Sequence, residues 1–181
     1  MHLRIYDPRI LAIDLRPRRF GYAVFEGPRM LLDWGISAYL PDGDGRGEIA
    51  GRRLAALLRI SSPSAIVVKT ERWESARTST SPGARFLMDA ITREASARSI
   101  PICLIAEDEL KSTFVNLQCV TKYEIAAVLT RIFPELLWKL PPKRQIWQSE
   151  HPRMTMFDAI ALGLAYWQHS STRPPPPSEW S

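Results

Sequence analysis

Three carboxylates carry the strongest chemical signal in this chain. Asp14 ends the apolar run Ile10-Leu11-Ala12-Ile13. Glu71 stands just past a second apolar run, Ala65-Ile66-Val67-Val68. Asp158 lies in Met156-Phe157-Asp158-Ala159-Ile160-Ala161-Leu162-Gly163-Leu164-Ala165, which reads as helix. A carboxylate at the end of a buried strand is costly unless a cation, a donor or a metal meets it. Asp158 shares a helix face with Ala161, Leu162 and Ala165, so that face presses on protein and its acid also needs a counter-charge. Brought together, three acids on separate elements suit hard divalent cations such as Mg²⁺ or Mn²⁺. Two such ions ~3.5–4 Å apart would activate a water and stabilise the leaving oxygen in phosphodiester cleavage. Taken singly, an acid at an element end is more often a cap or an ion-pair member.

Cations and aromatics crowd the same motifs. Arg16, Arg18 and Arg19 follow Asp14 and either bind phosphates or form a solvated turn. Arg72 and Arg77 beyond Glu71 read the same way. Trp73 could stack on an unpaired base, though packing is the commoner use of such a residue. Trp138, Trp147 and Trp167 read as packing or interface residues. Lys69 lies two residues before Glu71, and in a strand such residues share a face. Either its ammonium points at the acids and neutralises them in place of a metal, or the strand has ended and Lys69 turns to solvent.

The elements that must hold these groups follow from the apolar pattern. Strands are expected at 10–14, 21–26 and 29–39, with Gly27-Pro28 as a turn between the second and third. Pro41–Gly45 reads as a loop. Residues 46–60 show helical spacing that Ser61-Ser62-Pro63 stops. A buried strand at 65–68 precedes a Ser-, Thr- and Pro-rich loop at 75–83 and a helix at about 83–99. A fifth strand at 102–105 is followed by helices near 107–115, 121–133 and 153–168, with a polar loop over 139–152. The fold class is α/β: a mixed five-stranded sheet, its first three strands antiparallel and the rest parallel, with helices on both faces. If the strands at 10–14 and 65–68 are parallel neighbours, Asp14 and Glu71 both sit at the carboxyl ends of adjacent strands, where open α/β sheets place their sites.

Composition bounds the rest. The 181 residues suit one domain over 1–169 with a disordered tail at 170–181, which holds Pro174-Pro175-Pro176-Pro177. No apolar run approaches the ~20 residues of a membrane span, no signal peptide is evident, and a cytoplasmic location is expected. Cys103 and Cys119 suggest neither a disulfide framework nor a zinc site. Lys and Arg number 24 against 19 acids, a net of +5, and only five of the cations are lysine. An arginine-rich basic domain is compatible with nucleic acid.

The ordered motifs resemble the RuvC-like branch of the ribonuclease H-like superfamily, the Holliday junction resolvases. The family's first motif is an aspartate ending strand one, six residues, then Gly-Tyr opening strand two. Asp14 and Gly21-Tyr22 match it. An apolar strand ending in glutamate is matched by Ile66 to Glu71, and a helical Asp-Ala-x-Ala-Leu-x-Leu-Ala by Asp158 to Ala165. The resemblance spans about 10–168. It implies Asp14, Glu71 and Asp158 as ligands of Mg²⁺ or Mn²⁺, in a two-metal site. It also implies Lys111 as a residue near the scissile phosphate. Three departures are visible. Arg16 replaces a glycine two residues after the first aspartate, Thr155 replaces a second aspartate one turn before Asp158, and Lys69 sits near the acids. Glu150 or His151 is a candidate to compensate for Thr155. The expected function is a metal-dependent endonuclease, dimeric, that cuts branched DNA in recombination or repair. The alternative is a degenerate domain of the same fold that binds nucleic acid or a protein without cleaving. A third reading keeps the enzyme and changes the substrate to RNA or a transposon end.

Overall fold

The computed structural model describes residues 7–38, 46–78 and 82–170. The expected loop at Pro41–Gly45 and the proline-rich tail beyond residue 170 lie outside the described residues. Three antiparallel strands open the fold: β1 (Arg9–Arg16), β2 (Arg19–Glu26) and β3 (Met30–Ala38). Helix α1 (Arg46–Ser61) leads to β4 (Ala65–Lys69), then α2 (Thr70–Thr78), α3 (Pro82–Ala97) and β5 (Ile102–Ile105). Helices α4 (Glu107–Val115), α5 (Lys122–Ile132) and α6 (Met154–Ser170) complete it, with a 3-10 turn at Pro134–Lys139 between the last two.

The sheet order is β3-β2-β1-β4-β5, with β4 parallel to both β1 and β5. This is the expected mixed sheet. β1 and β2 are buried along almost their whole length because both faces are covered. Alternate residues divide between two cores. Ile10, Ala12, Ala65 and Val67 pack under α4, α5 and α6, while Leu11, Ile13, Ile66 and Val68 pack under α1 and α3. Asp14 continues the first series and so faces α6.

Two departures from the expected elements have local causes. Residues 75–78 are helical, where composition suggested a loop; Ala76 is buried in the second core, and Thr78 Oγ1 donates back to the Glu74 carbonyl at 3.2 Å. The hydroxyl-rich sequence thus satisfies its own helix end. The 3-10 turn starts at Pro134, which suits a first helical position, and is pinned by buried Leu136.

Helix α6 positions the centre. It lies across β1 and β2, and ten of its residues are buried. Gly21, the glycine of the Gly-Tyr pair, is needed for that approach: a methyl group there would overlap the Thr155 carbonyl carbon and oxygen. Gly163 makes a similar allowance further along the helix, against the Phe25 ring. No helix among the described residues is long and apolar enough to cross a membrane.

Candidate acidic centre and its cations

Asp14 does not end its strand, since the ladder continues to Arg16; it is paired with Gly21 and is buried. Its carboxylate does not stand free. Arg16 Nε donates to Asp14 Oδ2 at 2.6 Å, and Arg16 Nη2 donates to Asp158 Oδ2 at 2.5 Å. One guanidinium therefore spans the two acids that the sequence placed on separate elements. This is the planar fork for which arginine is suited. The geometry arises because residues 14 and 16 of β1 share a face, and α6 brings Asp158 over that face.

Further cations close the group. Lys122, at the start of α5, reaches Asp158 at 3.0 Å and Glu150 at 3.1 Å. Arg16 Nη2 is 3.6 Å from Glu150, and Arg72 Nε is 3.8 Å from Asp14 Oδ1. Arg19 Nε donates to Thr155 Oγ1 at 2.9 Å, so the neutral residue one turn before Asp158 serves as a hydrogen-bond acceptor.

Glu71 is turned elsewhere. It occupies the first turn of α2, exposed, and accepts the backbone N–H of Glu107 at 2.9 Å. In the sheet register Ile13 pairs with Val68, which sets Lys69 level with Asp14 on the same face. Its ammonium nonetheless pairs with Glu107. Neither alternative for Lys69 describes this: it is mostly buried, and its partner is the first residue of α4. Lys111 is largely exposed and 3.5 Å from Glu107. Arg18 is exposed in the β1–β2 turn, Arg77 is exposed, and Trp73 is half-buried against the second core. Trp138 and Trp147 stand out in solvent instead of packing, while Trp167 is half-buried, edge-on to Tyr166.

The electrostatics follow from this arrangement. Burial first, then repulsion from Asp158, pushes the Asp14 carboxyl up to about 6, against the lowering pull of Arg16 and Arg72. Burial alone would lower the Arg16 pKa, but Asp14, Asp158 and Glu150 outweigh it and hold the guanidinium above its ordinary value. Burial raises Glu150, yet Lys122 and Arg16 bring it below the usual carboxylate range. The hydrogen bond from Lys69 is the main cause of a lowered Glu107.

A cleft of about 150 Å³ opens on this centre. Its lining carries four cations, Arg16, Lys69, Lys111 and Lys122, against three carboxylates, Asp14, Glu107 and Asp158. No group of three or more His, Cys, Asp or Glu side chains among the described residues is arranged to hold a metal ion. The donor set as it stands does not fit a divalent cation: Asp14 and Asp158 are already engaged by Arg16, and Glu71 binds a backbone amide. Sequence reasoning flagged Arg16 but missed Lys122, whose partners lie 28 and 36 residues away.

No protein-family model matches the chain, and no curated protein matches it in sequence. Solved structures do match. The chain superposes on RuvC from T. thermophilus, in a structure with a Holliday junction substrate, with a TM-score of 0.66 at 16% identity, over 91% of this chain and 96% of that one. Another structure of Thermus thermophilus RuvC gives a TM-score of 0.65 at the same identity and coverage. The yeast mitochondrial Holliday junction resolvase Ydc2 matches at 19% identity with a TM-score of 0.45, over 93% and 82%. The chain has the ribonuclease H-like fold seen in RuvC, at 16% sequence identity.

Proposed function

We propose that this chain is a ribonuclease H-like domain that binds branched DNA and holds its acidic centre closed with its own cations. The observation that carries this reading is the Arg16 guanidinium shared by Asp14 and Asp158. A cleft whose lining has an excess of cations attracts phosphate and repels metal ions. Arg18, Arg72 and Lys111 lie on or near the centre and are the proposed backbone contacts, joined by Arg16 and Arg19 where they border it. Trp73 is the candidate for an aromatic contact there. DNA is the favoured partner because the matched RuvC structure contains a junction; RNA is the alternative polymer. Two copies would engage the symmetric arms of a junction.

A second reading is the metal-dependent endonuclease. It is favoured by one observation: Asp14 and Asp158 lie close together, separated by a single side chain. In that reading Asp14, Glu71 and Asp158 take Mg²⁺ or Mn²⁺ once Arg16 has swung away, and Lys111 contacts the phosphate.

Gel-shift and cleavage assays with a four-way junction and a linear duplex separate the two. The first reading expects junction binding that EDTA leaves unchanged, and intact strands in Mg²⁺ or Mn²⁺. Strand cutting that needs metal and is abolished by Asp14→Asn would establish the enzyme instead.

A further inference from the structure

A second cavity lies beside the acidic centre and shares the paired Lys122 and Glu150 with it. It measures about 400 Å³ and is bounded by the start of α5, the segment 141–144 and the residues leading into α6. That volume falls within the range of small-ligand clefts. Its walls have two characters. Tyr123, Pro141, Pro142 and Met154 form apolar, partly flat surfaces. Lys143 and Arg144 form a cationic rim, while Glu150, paired with Lys122 at 3.1 Å, and His151, whose Nδ1 accepts the Arg153 N–H, line the inner side.

The charge on that rim is available. Lys143 and Arg144 are exposed, with Lys143 in electrostatic reach of Glu124, whereas Lys122 on the inner side is held by Glu150 and Asp158. The helix end contributes nothing: Thr121 Oγ1 accepts the N–H of Glu124, and the Glu124 carboxylate accepts the N–H groups of Val120 and Thr121 at 2.8 Å. Any anion there is therefore attracted by side chains, not by free amides. Lys122 also lines the acidic cleft, so the two hollows meet at one residue. Past the rim, Ile146 and Trp147 are 93% and 82% exposed, apolar groups that the fold leaves unburied.

We propose that this cavity receives a single unpaired nucleotide, extruded from a strand that crosses the acidic centre. The base lies against Tyr123 and the two prolines, its phosphate meets Lys143 and Arg144, and Trp147 abuts the next base. A stacked base and a charge-assisted phosphate contact are the two interactions by which single-stranded nucleic acid is commonly held. An acidic peptide would use the rim but leave the apolar walls unfilled. The inference rests on the reading of the domain as nucleic-acid-binding.

The test uses the full chain and a 5′-phosphorylated trinucleotide with 2-aminopurine at its centre, whose fluorescence is quenched by stacking. Wild type is expected to quench it saturably. The Lys143→Ala/Arg144→Ala variant should weaken binding at least ~10-fold, since it removes two charge-assisted contacts. Tyr123→Ala should reduce the quenching at saturation. Both rim residues are exposed, so the double variant is expected to melt with wild type. A four-way-junction gel shift is run in parallel. Junction binding without trinucleotide quenching, or quenching indifferent to the rim variant, overturns the cavity and leaves the domain's reading standing. Loss of both signals overturns both. Displacement of the trinucleotide by oligoglutamate at equal concentration would assign the site to a protein partner and overturn it too.

Discussion

Arg16 is the residue on which the chemistry turns. It is largely buried, and it supplies the counter-charge for two acids at once. Removing it leaves Asp158 with Lys122 and Asp14 with the more distant Arg72 as their remaining cations. Arg16→Ala is expected to destabilise the fold by about 3 kcal/mol at pH 7.5, the usual cost of stripping one partner from a buried ion pair. The loss should shrink at pH 5, below the raised value of about 6 at which the Asp14 carboxyl takes up its proton. Urea denaturation at the two pH values checks this; equal stability of variant and wild type at pH 7.5 would mean that the ion pairs contribute nothing.

Asp14 makes a second prediction at this scale. Its carboxyl is raised to about 6, whereas an unfolded aspartate titrates near ~3.9. Between those values the folded chain binds a proton that the unfolded chain does not. Its contribution to stability therefore grows as pH falls through the folded value and levels off below the unfolded one. Glu107 and Glu150 act in the opposite sense, since both are lowered. The stability they lend is present above the unfolded value of ~4.3 and is lost as pH falls further. From pH 7.5 to 5.5 the Asp14 effect stands nearly alone. The melting temperature of wild type should rise by a few degrees over that interval, and Asp14→Asn should flatten the rise. A wild-type melting temperature that falls over the same interval would contradict the assignment.

Among the elements, α6 and the strand beneath it depend on a small residue. Gly21 admits the backbone of Thr155, and a side chain there must push the helix away. Gly21→Ala is expected to cost about 2–3 kcal/mol, in the range of overpacked cores. It should also loosen the Arg19–Thr155 and Arg16–Asp158 contacts, since both bridge β-strand and helix. Thermal melts of this variant against an exposed-site control such as Arg18→Ala check it; a Gly21→Ala variant as stable as wild type would show that α6 can shift without penalty.

The same element scale shows what the sequence could reveal. The apolar runs at 10–14 and 65–68 announce strands because both sheet faces are covered, and the glycine of the Gly-Tyr pair follows from the close helix. Helix α2 was hidden because Ser, Thr and Pro around residues 75–83 mimic a loop in composition, while its helicity depends on Ala76 meeting a distant core. The acids were legible as a set of residue types. Their partners were only half so: Arg16 is two residues from Asp14, but Lys122 meets Asp158 only through the packing of α5 on α6. Glu71 shows the limit of motif position, since an acid in the first turn of a helix can answer a neighbouring backbone amide as readily as a metal.

At the scale of the whole molecule, the net charge of +5 favours a polyanionic partner. Junction binding should weaken steeply with salt, with a log–log slope near −0.9 for each phosphate neutralised on duplex arms. Fluorescence anisotropy from 50 to 200 mM salt would check that, and a flat response would point to a protein partner instead.

Arg16 stands between Asp14 and Asp158, where a shared divalent cation would have to sit. That claim is tested most directly by calorimetric titration of Mn²⁺ into wild type, Asp14→Asn and Arg16→Gly, with and without a four-way junction. Wild type is predicted to give no saturable heat in either condition, and Arg16→Gly is predicted to gain binding, because the cation that spans the two carboxylates is gone and only Lys122 on Asp158 and Arg72 near Asp14 remain. Saturable Mn²⁺ binding by wild type that Asp14→Asn removes would contradict the claim and return the domain to the metal-dependent nucleases.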